Sequence, residues 1–134
     1  GIYGDRAAVF AGYRDETFLL KELQERSPYV RVATEDGSVG YRGFVTDLLL
    51  KYLKEQRTDM VFACGPRPML KTVARICREN SVSCQVSLEE RMACGVGACL
   101  GCSCAVNERD GSLQYKRVCK DGPVFRAEEV CWDE

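Results

Sequence analysis

The sequence predicts an α/β fold, a parallel sheet with flanking helices over residues 1–90, followed over 91–134 by a small cysteine-rich domain with a β-hairpin. Three observations predict it. Short apolar runs alternate with segments of helical period through the first two-thirds of the chain; the alternation stops near residue 89; and glycine and cysteine then dominate.

Ala7 to Gly12 (AAVFAG) is an apolar run closed by glycine, which reads as a buried strand. Asp15 then precedes a helix expected to turn Phe18, Leu19 and Leu23 inward. Tyr29 to Thr34 (YVRVAT) alternates as a second strand, and a glycine-rich loop follows from Asp36 to Gly43. In Phe44 to Gln56, Val45, Leu48, Leu49, Tyr52 and Leu53 fall at i, i+3, i+4, i+7 and i+8, which is one helical face. Asp59 to Cys64 (DMVFAC) is a strand, and Pro68 suits the first turn of a helix lined by Met69, Leu70, Val73, Ile76 and Cys77. Ser83 to Leu88 reads as the last strand of the set. Strands separated by helices require right-handed crossovers and hence parallel pairing. Beyond Met92 the pattern gives a hairpin, Cys104 to Glu108 and Leu113 to Val118 about an Arg109-Asp110-Gly111 turn, and then an acidic tail. The boundary is expected at 88–92.

The composition removes whole classes of function. There is no histidine, so no Ser-His-Asp or Cys-His pair, haem histidine, His-bearing zinc site or Rieske-type cluster can be built. A net charge of −1 gives no reason to expect nucleic acid or an acidic membrane as partner. No apolar run approaches the ~20 residues of a membrane span, and Gly1 opens no secretory signal, so the setting is expected to be cytoplasmic. In a reducing cytosol nine cysteines are better explained by metal or cluster ligation than by disulfides.

Four of the nine carry a pattern. Cys94, Cys99 and Cys102 stand in C-x4-C-x2-C, and Cys119 follows after sixteen residues, which is the plant-type [2Fe-2S] spacing. Each iron takes two thiolates, three ligands come from one tight loop, and a hairpin returns the fourth. Gly95, Gly97 and Gly101 let backbone amides approach the sulfur atoms closely. The same four thiolates could instead hold a structural zinc, although zinc sites usually show two C-x2-C knuckles and this chain has one. Cys104 is expected to be a buried neighbour, and Cys77 and Cys84 to be core residues.

Cys64-Gly65-Pro66 lies between a strand and a helix, where open α/β sheets bind ligands, and Gly12-Tyr13-Arg14 follows an earlier strand. Together they resemble the NAD(P)-binding half of the ferredoxin-reductase family. The resemblance implies that Cys64, Gly65 and Pro66 lie beside the nicotinamide, and Gly12 and Arg14 near the adenosine phosphate. The plainer alternatives are a strand-ending glycine with a surface arginine, and a proline at a helix start.

The whole order is similar to one family. Tyr41-Arg42-Gly43-Phe44-Val45-Thr46-Asp47-Leu48-Leu49, the Cys-Gly-Pro-Arg-Pro-Met-Leu loop, Ser87 through Cys102, and Val118-Cys119-Lys120-Asp121-Gly122-Pro123-Val124-Phe125 resemble the electron-transfer subunits of NAD-linked bacterial dihydroorotate dehydrogenases. The resemblance implies a [2Fe-2S] cluster on Cys94, Cys99, Cys102 and Cys119. It also implies an FAD on the same intact subunit, an FMN on a dihydroorotate-oxidising catalytic partner, and NAD+ as the final acceptor. Members of the family begin with a flavin-binding β-barrel and a glycine-rich loop absent here, so the chain is expected to be a C-terminal portion. Reductase subunits of sulfide dehydrogenases and ferredoxin:NADP oxidoreductases are similar but usually carry Asp where Cys94 stands.

Overall fold

The computed structural model describes residues 6–133. Gly1, on which the reading of the chain start rested, lies outside them. The chain forms two compact units, residues 1–56 and 57–134.

In the first unit, β1 (Ala8–Tyr13), β2 (Tyr29–Thr34) and the two-residue β3 (Tyr41–Arg42) make a parallel sheet in the order β1-β2-β3, with Ala8 opposite Tyr29 and Ala33 opposite Tyr41. Helix α2 (Val45–Glu55) supplies the cover. Leu49 and Thr46 are buried, Val45, Leu48, Tyr52 and Leu53 are half-buried, and Lys51 and Lys54 face water, as the 3.6-residue period requires. The Asp47 carboxylate accepts the Phe44 N–H at 3.2 Å and holds the first turn. The expectation for α1 (Leu20–Arg26) needs correction. It begins after Phe18 and Leu19, which are 68% and 60% exposed, and it buries none of its residues. Leu19 sits at φ 56°, outside helical space, and Phe18 packs edge-on to Tyr13 at 5.0 Å while the Tyr13 hydroxyl donates to its carbonyl at 2.6 Å. Those local contacts outcompete a longer helix in which a side-chain cap is missing.

In the second unit, β4 (Met60–Cys64) pairs in parallel with β5 (Ser83–Ser87), and α3 (Arg67–Glu79) is the crossover between them. Leu70, Val73, Ile76 and Cys77 of α3 are buried. The hairpin is β6 (Ser103–Asn107) and β7 (Leu113–Arg117), with Ser103 opposite Arg117 and Asn107 opposite Leu113. Asp110 accepts the Ser112 N–H at 2.9 Å and shapes its turn.

Two features differ from the single parallel sheet expected. The strands divide into separate sheets, and the acidic tail contains β8 (Val124–Arg126), which pairs antiparallel with β5, Val86 opposite Phe125. Through this return, β5 and the segment beyond residue 92 lie in one compact unit. Leu70, Val86 and Leu88 share one core with Cys102, Cys104, Val106, Val118 and Phe125, so α3, β5 and the cysteine-rich segment exclude water together. Among the described residues, no helix is long and apolar enough to cross a membrane.

Candidate metal centre

The cysteine loop runs from 91 to 102 without regular structure, and the short helix α4 (Val118–Asp121) follows β7. The hairpin brings the two together: the Val118 N–H donates to the Cys102 carbonyl at 3.0 Å, and both residues are buried. Cys102 and Val118 therefore anchor the third and fourth cysteines to the core, while Cys94 and Cys99 are only half-buried.

The four sulfurs come as two pairs. The Cys99 amide donates to Cys94 Sγ at 3.4 Å, and the Cys119 amide to Cys102 Sγ at 3.5 Å; Gly101 N–H points at Cys99 Sγ at 3.5 Å. Backbone donors from Cys99 and Val96, and then the Cys99 thiol, lower the Cys94 thiol to about 6, so it is readily a thiolate. Cys119 is raised, first by its hydrogen bond with Cys102 and then by desolvation. Among the described residues no three Cys, Asp or Glu side chains gather to hold one metal ion. The donors instead lie as two pairs of thiols, and two thiolates for each of two irons is the division a [2Fe-2S] cluster takes.

Gly97 lies between the first two cysteines, buried, at φ +79°. A Cβ there would stand 2.6 Å from Lys120 Cδ, so only glycine lets the loop lie under α4. Cys104 is buried in β6 and its thiol is raised, first by burial and then by Glu90. Cys77 is buried and Cys84 half-buried; Cys84 is raised by its thiol hydrogen bond with Cys77 and by burial.

On the nucleotide side, Cys64 ends β4, Gly65 and Pro66 form the turn into α3, and Cys64 and Pro66 are exposed. This loop stands at the C-terminal end of the parallel β4–β5 pair. In the first unit, Gly12 is the fifth residue of β1 and Arg14 is exposed in the bend after it. A Cβ at Gly12 would lie 2.8 Å from Val45 Cβ, so close packing against α2 is a sufficient reason for glycine there.

Sequence reasoning passed over several polar groups. Arg67 Nη2 donates to the Cys131 carbonyl at 2.7 Å, and its guanidinium lies over the Trp132 ring at 5.8 Å. Arg117 Nη1 donates to the Gly97 carbonyl at 2.7 Å, and its Nε and backbone N–H both donate to Asp121 Oδ2, at 3.2 and 2.8 Å. An Arg and an Asp four residues apart about Cys119 was the signal available for the second group.

Residues 2–75 match the family model described as the oxidoreductase NAD-binding domain. The chain belongs to that family. Residues 89–131 match a second model, the iron-sulfur cluster binding domain of dihydroorotate dehydrogenase B. The two matches make the chain an oxidoreductase component that joins an NAD-binding family domain to an iron-sulfur one. It is 51% identical to a dihydroorotate dehydrogenase B (NAD(+)) electron transfer subunit of Caldanaerobacter subterraneus, over 96% of this chain and 51% of that protein. It is 42% identical to the corresponding subunit of Clostridium perfringens, over 90% of this chain and 46% of the relative. The chain thus spans about half the length of the curated relatives it matches. A solved structure of an NADH-dependent reduced ferredoxin-NADP oxidoreductase superposes with TM-score 0.77 at 34% identity, covering 91% of this chain and 43% of that one.

Proposed function

We propose that this chain is part of the electron-transfer subunit of an NAD-linked dihydroorotate dehydrogenase, with residues 1–90 as a portion of its NAD-binding domain and 91–134 as its [2Fe-2S] domain. Cys94, Cys99, Cys102 and Cys119 are the ligands in this reading. The observation that carries it is the pairing of Cys94 with Cys99 and of Cys102 with Cys119, each pair bridged by a backbone amide aimed at sulfur. When bound, a [2Fe-2S] cluster supplies one-electron transfer between flavins that exchange electrons in pairs.

The chain's own residues prepare that site. Amides of Cys99, Gly101 and Cys119 stabilise thiolate charge, and the buried Cys102 and Val118 limit water on one side. No acid or base is needed from this chain. Cys64, Gly65 and Pro66 are the candidate nicotinamide contacts, and Gly12 and Arg14 the candidate adenosine-phosphate contacts. FAD belongs to the intact subunit, and the partner is an FMN-containing catalytic subunit in the cytoplasm.

A second reading, a reductase of the ferredoxin:NADP oxidoreductase kind, is favoured by the 34% identity to that solved structure. Cys94 at the first ligand position supports the dihydroorotate reading over it. The test uses the full-length subunit purified without air. About two irons and two sulfides per chain with visible charge-transfer bands, and dihydroorotate-dependent NAD+ reduction once the FMN-containing subunit is added, are expected. One zinc and no colour removes the relay. A cluster without dihydroorotate activity, but with ferredoxin-dependent NADP+ reduction, selects the second reading.

A further inference from the structure

Arg117 bridges the ligand loop and the fourth ligand's helix. Arg117 is half-buried; Nη1 holds the carbonyl of the buried Gly97, while Nε and the backbone N–H hold Asp121 across α4. Lys120, on the same turn, packs its stem over Gly97. The loop carrying Cys94 and Cys99 is thereby tied to the helix carrying Cys119 by a charge-assisted hydrogen bond on one side and a packed stem on the other.

We propose that Arg117 is a positioning residue that latches the ligand loop onto α4, and that its charge raises the reduction potential of the cluster held there. The inference rests on the reading of the four cysteines as cluster ligands. Four thiolates concentrate negative charge, and reduction adds another; a guanidinium fixed within the loop favours the more negative state. Asp121 opposes it, because its carboxylate neutralises part of the same guanidinium. The two residues of one ion pair therefore act on the potential with opposite sign, which a purely structural role does not produce.

The test compares Arg117→Gln, Arg117→Lys and Asp121→Asn in the full-length subunit, reading the midpoint potential by EPR-monitored titration and the rate of cluster loss to a chelator. Arg117→Gln is expected to lower the potential, Asp121→Asn to raise it, and Arg117→Lys to keep it near that of the unsubstituted protein. Both Arg117 variants should lose the cluster roughly tenfold faster, the scale of one charge-assisted hydrogen bond. If Arg117→Gln does not fold, the Lys and Asn variants still separate charge from latch. Shifts of the same sign in Arg117→Gln and Asp121→Asn, no rise in Asp121→Asn, or unchanged cluster retention in Arg117→Lys, overturn the proposal. A colourless unsubstituted protein overturns the cluster reading beneath it instead.

Discussion

The cysteine-rich part of the second unit and the first unit secure their candidate functional residues by opposite means. Cys102 and Val118 are 2% and 1% exposed, and every candidate ligand has an amide, a thiol or a core neighbour within a few residues or across one hairpin. Gly12 and Arg14, by contrast, sit at the end of β1 in a unit whose α1 buries nothing, and Arg14 is exposed. A metal centre assembled from local contacts comes complete with its own support. A nucleotide contact made at a strand end depends on whatever else lines the crevice.

Substitutions sharpen that contrast, and the largest effect is expected at the ligands. Cys119→Ser in the full-length subunit should lose the cluster, read as iron and sulfide content, while Cys84→Ser keeps it; a cluster surviving Cys119→Ser breaks the ligand assignment. The core supporting the loop comes next. Leu70→Ala should cost about 2–5 kcal/mol in denaturant unfolding, as for other fully buried leucines, whereas Leu23→Ala in the half-buried face of α1 should cost under about 1 kcal/mol. Equal losses would remove the difference between the units. Between these two falls Gly97→Ala, which forces a β-carbon into a left-handed conformation at a cost of about 1–2 kcal/mol and against Lys120. Cluster loss to chelator should quicken while the far-ultraviolet spectrum stays unchanged.

What was legible in the sequence follows the same division. The face of Val45, Leu48, Leu49, Tyr52 and Leu53 gave α2 directly, because one amphipathic period decides both element and orientation. Tyr29–Thr34 and the hairpin were readable from alternation and from an Asp-Gly turn. The spacing of Cys94, Cys99, Cys102 and Cys119 marked them as a candidate group, while the amides that face Cys94 Sγ and Cys102 Sγ left no trace in it. β3 and β8 were not readable, since two and three residues carry no period and each exists only through its partner strand. Phe18 and Leu19 misled because their apolar character is used by Tyr13 and by solvent-facing surface rather than by a helix. Arg117 was legible only in part: Asp121, four residues on, marks its ion pair, but not its contact with the ligand loop. Its partner in that loop is the carbonyl of Gly97, and a backbone acceptor leaves no mark in the sequence.

The antiparallel return of β8 onto β5 also fixes an order of events. During synthesis β4, α3 and β5 emerge long before Phe125, yet Val86 is covered on its second edge only when Phe125 arrives. Until then β5, with Val86 at its centre, is an unprotected sheet edge, and open edges are the surfaces most prone to pairing with the wrong chain. That edge of β5 therefore stays open until the segment beyond the hairpin has been made, and closes only when β8 pairs with it.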